Sequence, residues 1–249
     1  MASSFFQQFL RLLRSWWRDE TRQRGLTGAT TLLLRNFWEF ARDSTPERRR
    51  QRYGDMEYDW DHRVDTTGGT VGWRTRLVGL FLSPYQATDP ALFHEMMASL
   101  QIKFEDFTFV DLGSGKGRTL LMASEYPFRK VLGVEMIPEL NRAAEKNVRA
   151  YRSPTQRCLH IESILADARE FEFPEDPLVL YLFNPLPQPA FSEVLLRLKK
   201  SLERVPRKVW IVYHNPVLER LIVDLGEVRV FSKVCGTEEY SIYSSQDSL

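Results

Sequence analysis

The sequence is poor in cysteine. Its 249 residues hold only Cys158 and Cys235, with no Cys-x-x-Cys and no Cys/His cluster. It therefore offers neither a disulfide scaffold nor a zinc site, and no other metal site is expected. Cys158 stands in an apolar, strand-like run, where buried packing is the ordinary role of a lone cysteine. Net charge is almost absent as well: 34 Lys and Arg against 33 Asp and Glu give +1, so the whole molecule has no bias toward nucleic acid. Long apolar runs are also missing. The longest, such as Leu77-Val78-Gly79-Leu80-Phe81-Leu82, are the size of a core strand or helix and fall far short of the ~18 residues of a membrane span. Hydrophobic residues make up 43% and charged residues 27%, as in a globular, cytoplasmic protein. The length suffices for one sizeable core with an appendage.

The small net charge hides an asymmetry. Residues 1–53 carry 11 Arg, no Lys and 5 acids, or +6, which leaves −5 on the remainder. An Arg-rich front on a mildly acidic body suits an arm that touches something anionic, or simply a solvated helical face. At 100° per residue, Phe5, Phe9, Leu10, Leu12, Leu13, Trp16 and Trp17 gather on one side of a helix over 5–18, with Gln7, Gln8, Arg11, Arg14, Ser15 and Arg18 on the other. Three uses stay open for this helix: packing on the body or a partner, peripheral contact of residues 1–20 with an anionic membrane surface, or organelle targeting. A second helix is predicted over 30–42. The run Glu47-Arg48-Arg49-Arg50-Gln51-Arg52 marks a boundary, and residues 53–75 read as an ordered loop in which Asp59, Asp61 and Asp65 either close over a site or serve as turn residues. The predicted organisation is a helical and loop extension over 1–84 and one domain over 85–249.

From about residue 90 strands and helices alternate. Strands are predicted at 107–111, 130–135, 158–162, 178–183, 209–213, 228–232 and 240–244. Helices are predicted from Pro90, with Asp89 as N-cap, and over 117–126, 138–151, 191–202 and 216–223. The fourth strand, Leu178-Val179-Leu180-Tyr181-Leu182-Phe183, is apolar throughout, as a central parallel strand should be. The fold class is therefore α/β, a doubly wound, Rossmann-like seven-stranded sheet with a terminal antiparallel hairpin and an N-terminal helical extension.

In such sheets ligands bind beyond the carboxyl ends of the strands, and the first strand is followed there by Asp111-Leu112-Gly113-Ser114-Gly115-Lys116-Gly117. A Walker A loop needs GxxxxGK[ST], and here Lys116 is followed by Gly117. A dinucleotide loop reads GxGxxG, and here the third glycine comes one residue early. Asp111 would repel a pyrophosphate and suit the amino group of an amino acid. Glu135 ends the next strand, where a carboxylate can accept both ribose hydroxyls. Together they fit a nucleoside joined to an amino acid, without phosphate.

Phe109 to Arg118 resembles the first motif of class I S-adenosylmethionine-dependent methyltransferases. Gly133-Val134-Glu135 resembles the second motif and Ala166-Asp167-Ala168 the third, and Phe183-Asn184-Pro185-Leu186-Pro187 falls where the fourth ends its strand. The Asp-Leu-Gly-Ser-Gly form is similar to that of Dot1-like lysine methyltransferases, as is Tyr85-Gln86-Ala87-Thr88. The chain from Tyr58-Asp59 to Asp65-Thr66 and onward is similar to a largely uncharacterised bacterial group. The resemblance covers about residues 85–245. It implies S-adenosylmethionine as cofactor, with Asp111, Gly113, Ser114, Gly115 and Gly117 at the methionine part and Glu135 at the ribose. It further implies Asp167 and the Ala168 backbone at the adenine, with Tyr85, Thr88 and Asn184 completing the site.

Asn184 is the candidate catalytic residue, because its side-chain oxygen and the Pro185 carbonyl suit an acceptor amine. Leu186-Pro187 replaces the Pro-aromatic pair that would stack a flat base, which disfavours DNA or RNA as acceptor. His214 is a second candidate base, or a loop histidine without a role. The expected activity is methylation of a protein amine or a small metabolite. A catalytically silent cofactor-binding module docking through its Arg-rich arm, and an NAD-dependent oxidoreductase, are the competing readings.

Overall fold

The computed structural model describes residues 2–42, 56–68, 86–183, 186–225 and 230–245. Two compact units make up the chain. Residues 1–54 and 67–86 form one, and residues 55–66 and 87–249 the other.

In the first unit helix α1 spans Ala2–Arg42, with a non-helical Gly25 (φ 72, ψ 173) inside it. A Cβ at Gly25 would meet nothing within 4 Å, so the left-handed backbone angle, not crowding, calls for glycine there. Two helices over 5–18 and 30–42 were expected, and two helices meet here at the kink of Gly25, with the residues between the expected bounds helical as well. Arg24 pairs with Glu20 at 2.9 Å just before the kink. The predicted amphipathic pattern holds among the described side chains. Arg11, Arg14 and Arg18 are exposed, Trp16 is buried, and Leu10, Leu13 and Trp17 are half-buried. No helix among the described residues is long and apolar enough to cross a membrane.

The second unit is built on a seven-stranded sheet. Its strands are β1 (Thr108–Leu112), β2 (Lys130–Glu135), β3 (Ile161–Leu165), β4 (Leu178–Phe183), β5 (Val209–His214), β6 (Phe231–Gly236) and β7 (Tyr240–Ser245). Their spatial order is β3-β2-β1-β4-β5-β7-β6. The first five run parallel, and β7 is antiparallel to both β5 and β6. The expected doubly wound sheet with its closing hairpin is thus present, and the order reverses between β1 and β4. The helices are α2 (Met56–His62), α3 (Pro90–Ala98), α4 (Arg118–Ala123), α5 (Pro138–Ala150), α6 (Gln188–Arg204) and α7 (Arg220–Val223). Asp89 caps α3 as expected, accepting from the Leu92 amide at 3.0 Å.

Both faces of the sheet are buried, which explains the unbroken apolar strands. Along β4, Leu178, Leu180 and Leu182 enter one core with Phe191, Leu195 and Leu198 of α6. Val179 and Tyr181 enter the other with Phe93 and Met97 of α3 and Leu120 of α4. The period of two divides one strand between two cores.

Several boundaries depart from expectation: the helix expected over 216–223 begins at Arg220, that over 117–126 ends at Ala123, and that over 191–202 begins at Gln188. β3 begins at Ile161 rather than Cys158. The Arg157 and Cys158 amides donate to Ser124 O at 2.8 and 2.9 Å, so these two residues are tied to the end of α4 instead of the ladder, and Leu159 is 78% exposed. Of the strand expected over 228–232, residues 228 and 229 lie outside the described residues, and β6 begins at Phe231, just after Val230. Within the expected 53–75 loop, residues 56–62 form α2. A seven-residue helix with Trp60 86% exposed has no apolar period to reveal it. Tyr58 and Asp59 fix it by burial, with the His62 ring stacked on Tyr58 at 4.3 Å.

Candidate cofactor site

The site forms where β1, β2 and the loop between β1 and α4 meet. Gly113 and Ser114 donate their amides to Val134 O at 2.8 and 3.1 Å, and Gly117 donates to Ser114 O at 2.8 Å. These bonds fold the loop over the end of β2. Gly113, Gly115 and Gly117 have φ of 84°, 56° and 83°, the left-handed region that costs an L side chain energy. Gly133 is required by space instead. A Cβ there would lie 2.6 Å from both Leu120 Cδ1 and Ser114 Oγ. The glycine of Gly133-Val134-Glu135 thus lets the loop and α4 sit directly on β2.

One carboxylate stands next to last in β1 and another ends β2. Asp111 is 3% exposed and Glu135 5% exposed. Asp111 accepts from the Thr119 hydroxyl. Burial pushes its carboxyl up to about 7 against the opposing Thr119 bond, and the charge of Glu135 adds to the rise. Glu135 accepts from the Gly115 amide at 2.9 Å and the Ile137 amide at 2.7 Å. Burial dominates there too and carries its carboxyl to about 7 despite those amides. Among the described residues neither carboxylate has a cationic partner. Beside them, Ser114 Oγ is buried and has no hydrogen-bond partner among the described residues. Buried polar groups are rarely left so, and an unpaired one in a native site points to a ligand that pairs it. Two buried carboxylates without a counter-ion, an orphan hydroxyl and a glycine backbone at a helix N-terminus suit a ligand that brings a cation and hydroxyl donors. They do not suit a pyrophosphate.

The other predicted residues divide. Asp167 and Ala168 follow the end of β3, and Ala166 donates its amide to Glu135 O at 3.2 Å, which places the third motif beside the second. Asp167 is held by the Arg169 guanidinium at 2.6 and 3.1 Å and by the Arg169 amide at 2.9 Å. Burial opposes its ionisation, but the Arg169 bonds outweigh it and the carboxyl is lowered. Thr88 lies on the Asp111 side of the site through β4: its hydroxyl meets Tyr181 OH at 2.9 Å, and Tyr181 is the register partner of Asp111. Tyr85, Asn184 and Pro185 lie outside the described residues.

His214 was expected after the fifth strand. It is the last residue of β5, paired with Phe183 at the carboxyl end of β4. Its ring stacks on Phe183 at 3.7 Å and its Nδ1 meets Tyr181 OH at 2.9 Å. Burial lowers it to about 4, with Asp89 opposing, so it is neutral at pH 7. Thr88, Tyr181 and His214 thus form one buried chain of polar groups. Sequence reasoning missed Tyr181 because it hides in an apolar strand. It missed Thr119 and Arg169 because each acts on a motif carboxylate from outside the motif. A signal for one further group was present: Arg118 opens a helix, where the dipole disfavours a cation, so an acid partner was implied.

A family model described as histone methylation protein DOT1 matches residues 82–161, about a third of the chain, spanning the glycine loop and the second motif. No curated protein matches. Among solved structures the chain is similar to an RNA methyltransferase from Salinibacter ruber in complex with S-adenosyl-L-homocysteine, at 21% identity and TM-score 0.43, covering 64% of this chain and 92% of that one. It is also similar to precorrin-6y C5,15-methyltransferase from Geobacter metallireducens, at 14% identity and TM-score 0.46, covering 65% and 90%. A third is magnesium protoporphyrin IX methyltransferase from Synechocystis with bound S-adenosylmethionine, at 11% identity and TM-score 0.42, covering 62% and 76%. Identities below 25% and scores below 0.5 carry no acceptor from these proteins to this chain. The fold is that of class I methyltransferases, with a Dot1-like motif region.

Proposed function

We propose that this chain is an S-adenosylmethionine-dependent methyltransferase acting on an amine of a protein or a small metabolite. One observation carries the reading: Asp111 and Glu135 are buried on neighbouring strands, and Ser114 Oγ of the loop between those strands is buried without a partner among the described residues, a set that a phosphate-free aminoacyl nucleoside satisfies. Asp111 and the loop backbone would hold the amino acid part, Glu135 the ribose hydroxyls, and Asp167 with the Ala168 backbone the adenine. The cofactor supplies a methyl group on a sulfonium. The protein's part is to align the acceptor with that methyl and exclude water.

An acceptor amine must lose its proton. His214, neutral at pH 7 and standing at the carboxyl end of β5, is available as a hydrogen-bond acceptor, but its low basicity leaves the net proton to solvent. Asn184 and Pro185 follow β4 directly in the sequence, and the amide oxygen and carbonyl they offer support an amine acceptor. The lack of an aromatic residue at Leu186-Pro187 argues against a nucleobase.

The test is incubation with tritiated S-adenosylmethionine and fractionated lysate. Label entering protein or small amines supports the proposal. Label entering nucleic acid refutes the acceptor class, and cofactor binding without transfer to any fraction favours the catalytically silent module. For residues 1–20 the proposal is contact with an anionic membrane surface. Support comes from exposed Arg11, Arg14 and Arg18 on one side of the helix.

A further inference from the structure

The loop that receives the cofactor is costly to order. Gly113, Gly115 and Gly117 all sit at positive φ, and glycine loses more backbone freedom on ordering than any other residue. Two cations, Lys116 and Arg118, flank Gly117 at the N-terminus of α4. The helix dipole disfavours cations there, and both are buried, at 4% and 2% exposure. A buried cation must be paired.

Among the described residues, partners for both come from one segment, Met56–Thr66, which belongs to the same compact unit as the sheet. Asp59, on α2, accepts from Arg118 Nη2 at 3.2 Å and from the Thr66 amide at 2.7 Å, and Thr66 donates its hydroxyl to the same carboxylate. Arg118 Nε donates to Thr66 Oγ1 at 2.6 Å, and the guanidinium lies over the Tyr58 ring at 4.9 Å. Lys116 Nζ donates to Asp65 Oδ1 at 2.8 Å. Asn147 of α5 closes the arrangement. Its Nδ2 donates to both Asp65 O and Lys116 O, at 2.8 and 2.9 Å, while its Oδ1 accepts from the Asp65 amide at 2.9 Å. A single side-chain amide joins segment and loop.

We infer that Met56–Thr66 is a positioning device for the glycine loop. Asp59, Asp65 and Asn147 fix Lys116 and Arg118, and with them the loop backbone, in the form that receives the cofactor. The inference rests on the cofactor reading proposed above. An ordered loop spares the ligand the cost of ordering it. By linkage, a ligand that needs the ordered loop tightens the segment in return.

The test uses the full chain with S-adenosylhomocysteine as probe. Asp65→Asn and Asn147→Ala leave the Arg118–Asp59 pair intact, and both variants are expected to fold by circular dichroism. Each should bind the probe about tenfold more weakly by titration calorimetry. Asp65→Asn added to Lys116→Met should cost little more than Lys116→Met alone, because the two act through one ion pair. Hydrogen exchange supplies a readout that a merely structural role would not move. The probe should slow exchange of the Asp65 and Thr66 amides in the wild type and lose that effect in Asn147→Ala. Wild-type affinity in the folded variants, or an exchange pattern indifferent to the probe, overturns the inference. Failure of the wild type to bind the probe at all overturns instead the cofactor reading on which it stands.

Discussion

Asp111 stands next to last in β1 and Glu135 ends the neighbouring parallel strand β2, both as buried carboxylates, and burial carries both to about 7. The charge of Glu135 adds to the rise of Asp111. The site is therefore short of positive charge, and that shortage is what separates it from the phosphate-binding glycine loops its sequence superficially resembles.

A pH dependence follows. In the unfolded chain Asp111 titrates near 3.8 and in the fold near 7, so the folded state holds the extra proton between those values. Stability from this group falls as pH rises from about 4 to about 7 and levels off above, with a slope of at most about 1.4 kcal/mol per pH unit per proton. His214, lowered from 6.5 to about 4, acts oppositely over part of that range. The contribution of Asp111 is therefore read as the difference between wild type and Asp111→Asn in thermal unfolding from pH 4.5 to 8. The variant should gain on the wild type as pH rises. A difference independent of pH contradicts this account.

Ser114→Ala separates ligand binding from stability. The hydroxyl has no partner among the described residues, so its removal should leave the unfolding temperature unchanged or slightly higher. The lost bond should weaken S-adenosylhomocysteine binding by roughly 1 kcal/mol, about fivefold. A destabilised protein with unchanged affinity would mean that the hydroxyl serves the fold.

Gly133→Ala should destabilise by about 1–3 kcal/mol, the usual cost of overpacking, because its Cβ would press on Leu120 Cδ1 and Ser114 Oγ at 2.6 Å. For a chain of this size that is a fall of roughly 2–4 °C per kcal/mol in differential scanning calorimetry. An unchanged midpoint would show that loop and helix yield without cost.

These predictions start from residues the sequence already marks. The strand-end motifs are local: β1 runs one residue beyond Asp111, β2 stops at Glu135, and both carboxylates are found by counting along the chain. Alternation implied the doubly wound class and the closing hairpin, but not the order, in which β4 lies beside β1 and β7 is inserted between β5 and β6. What stayed hidden depends on contacts distant in sequence. Asp65 and Lys116 are 51 residues apart, and Asp65 and Asn147 are 82 apart. No period or motif in Met56–His62 announces a helix that exists because Tyr58 and Asp59 are buried elsewhere. Tyr181 reads as an ordinary strand residue and His214 as a residue beyond its strand until the register sets them beside Asp111 and Phe183.

The arm makes a separate prediction. The full chain should co-sediment with vesicles rich in anionic lipid and be released by salt, since Arg-mediated attraction is screened over a Debye length of about 8 Å at 0.15 M. Deleting residues 1–20 should remove this binding. Equal co-sedimentation by the deletion variant ends the membrane proposal for this segment.

The central claim is that the glycine loop, with Asp111 before it and Glu135 beyond it, selects a phosphate-free, amine-bearing nucleoside. Titration calorimetry of the full chain against S-adenosylhomocysteine and against NADH tests it most directly. The account predicts micromolar, one-to-one binding of S-adenosylhomocysteine, abolished in Asp111→Ala, and none of NADH. Binding of NADH with none of S-adenosylhomocysteine would contradict it.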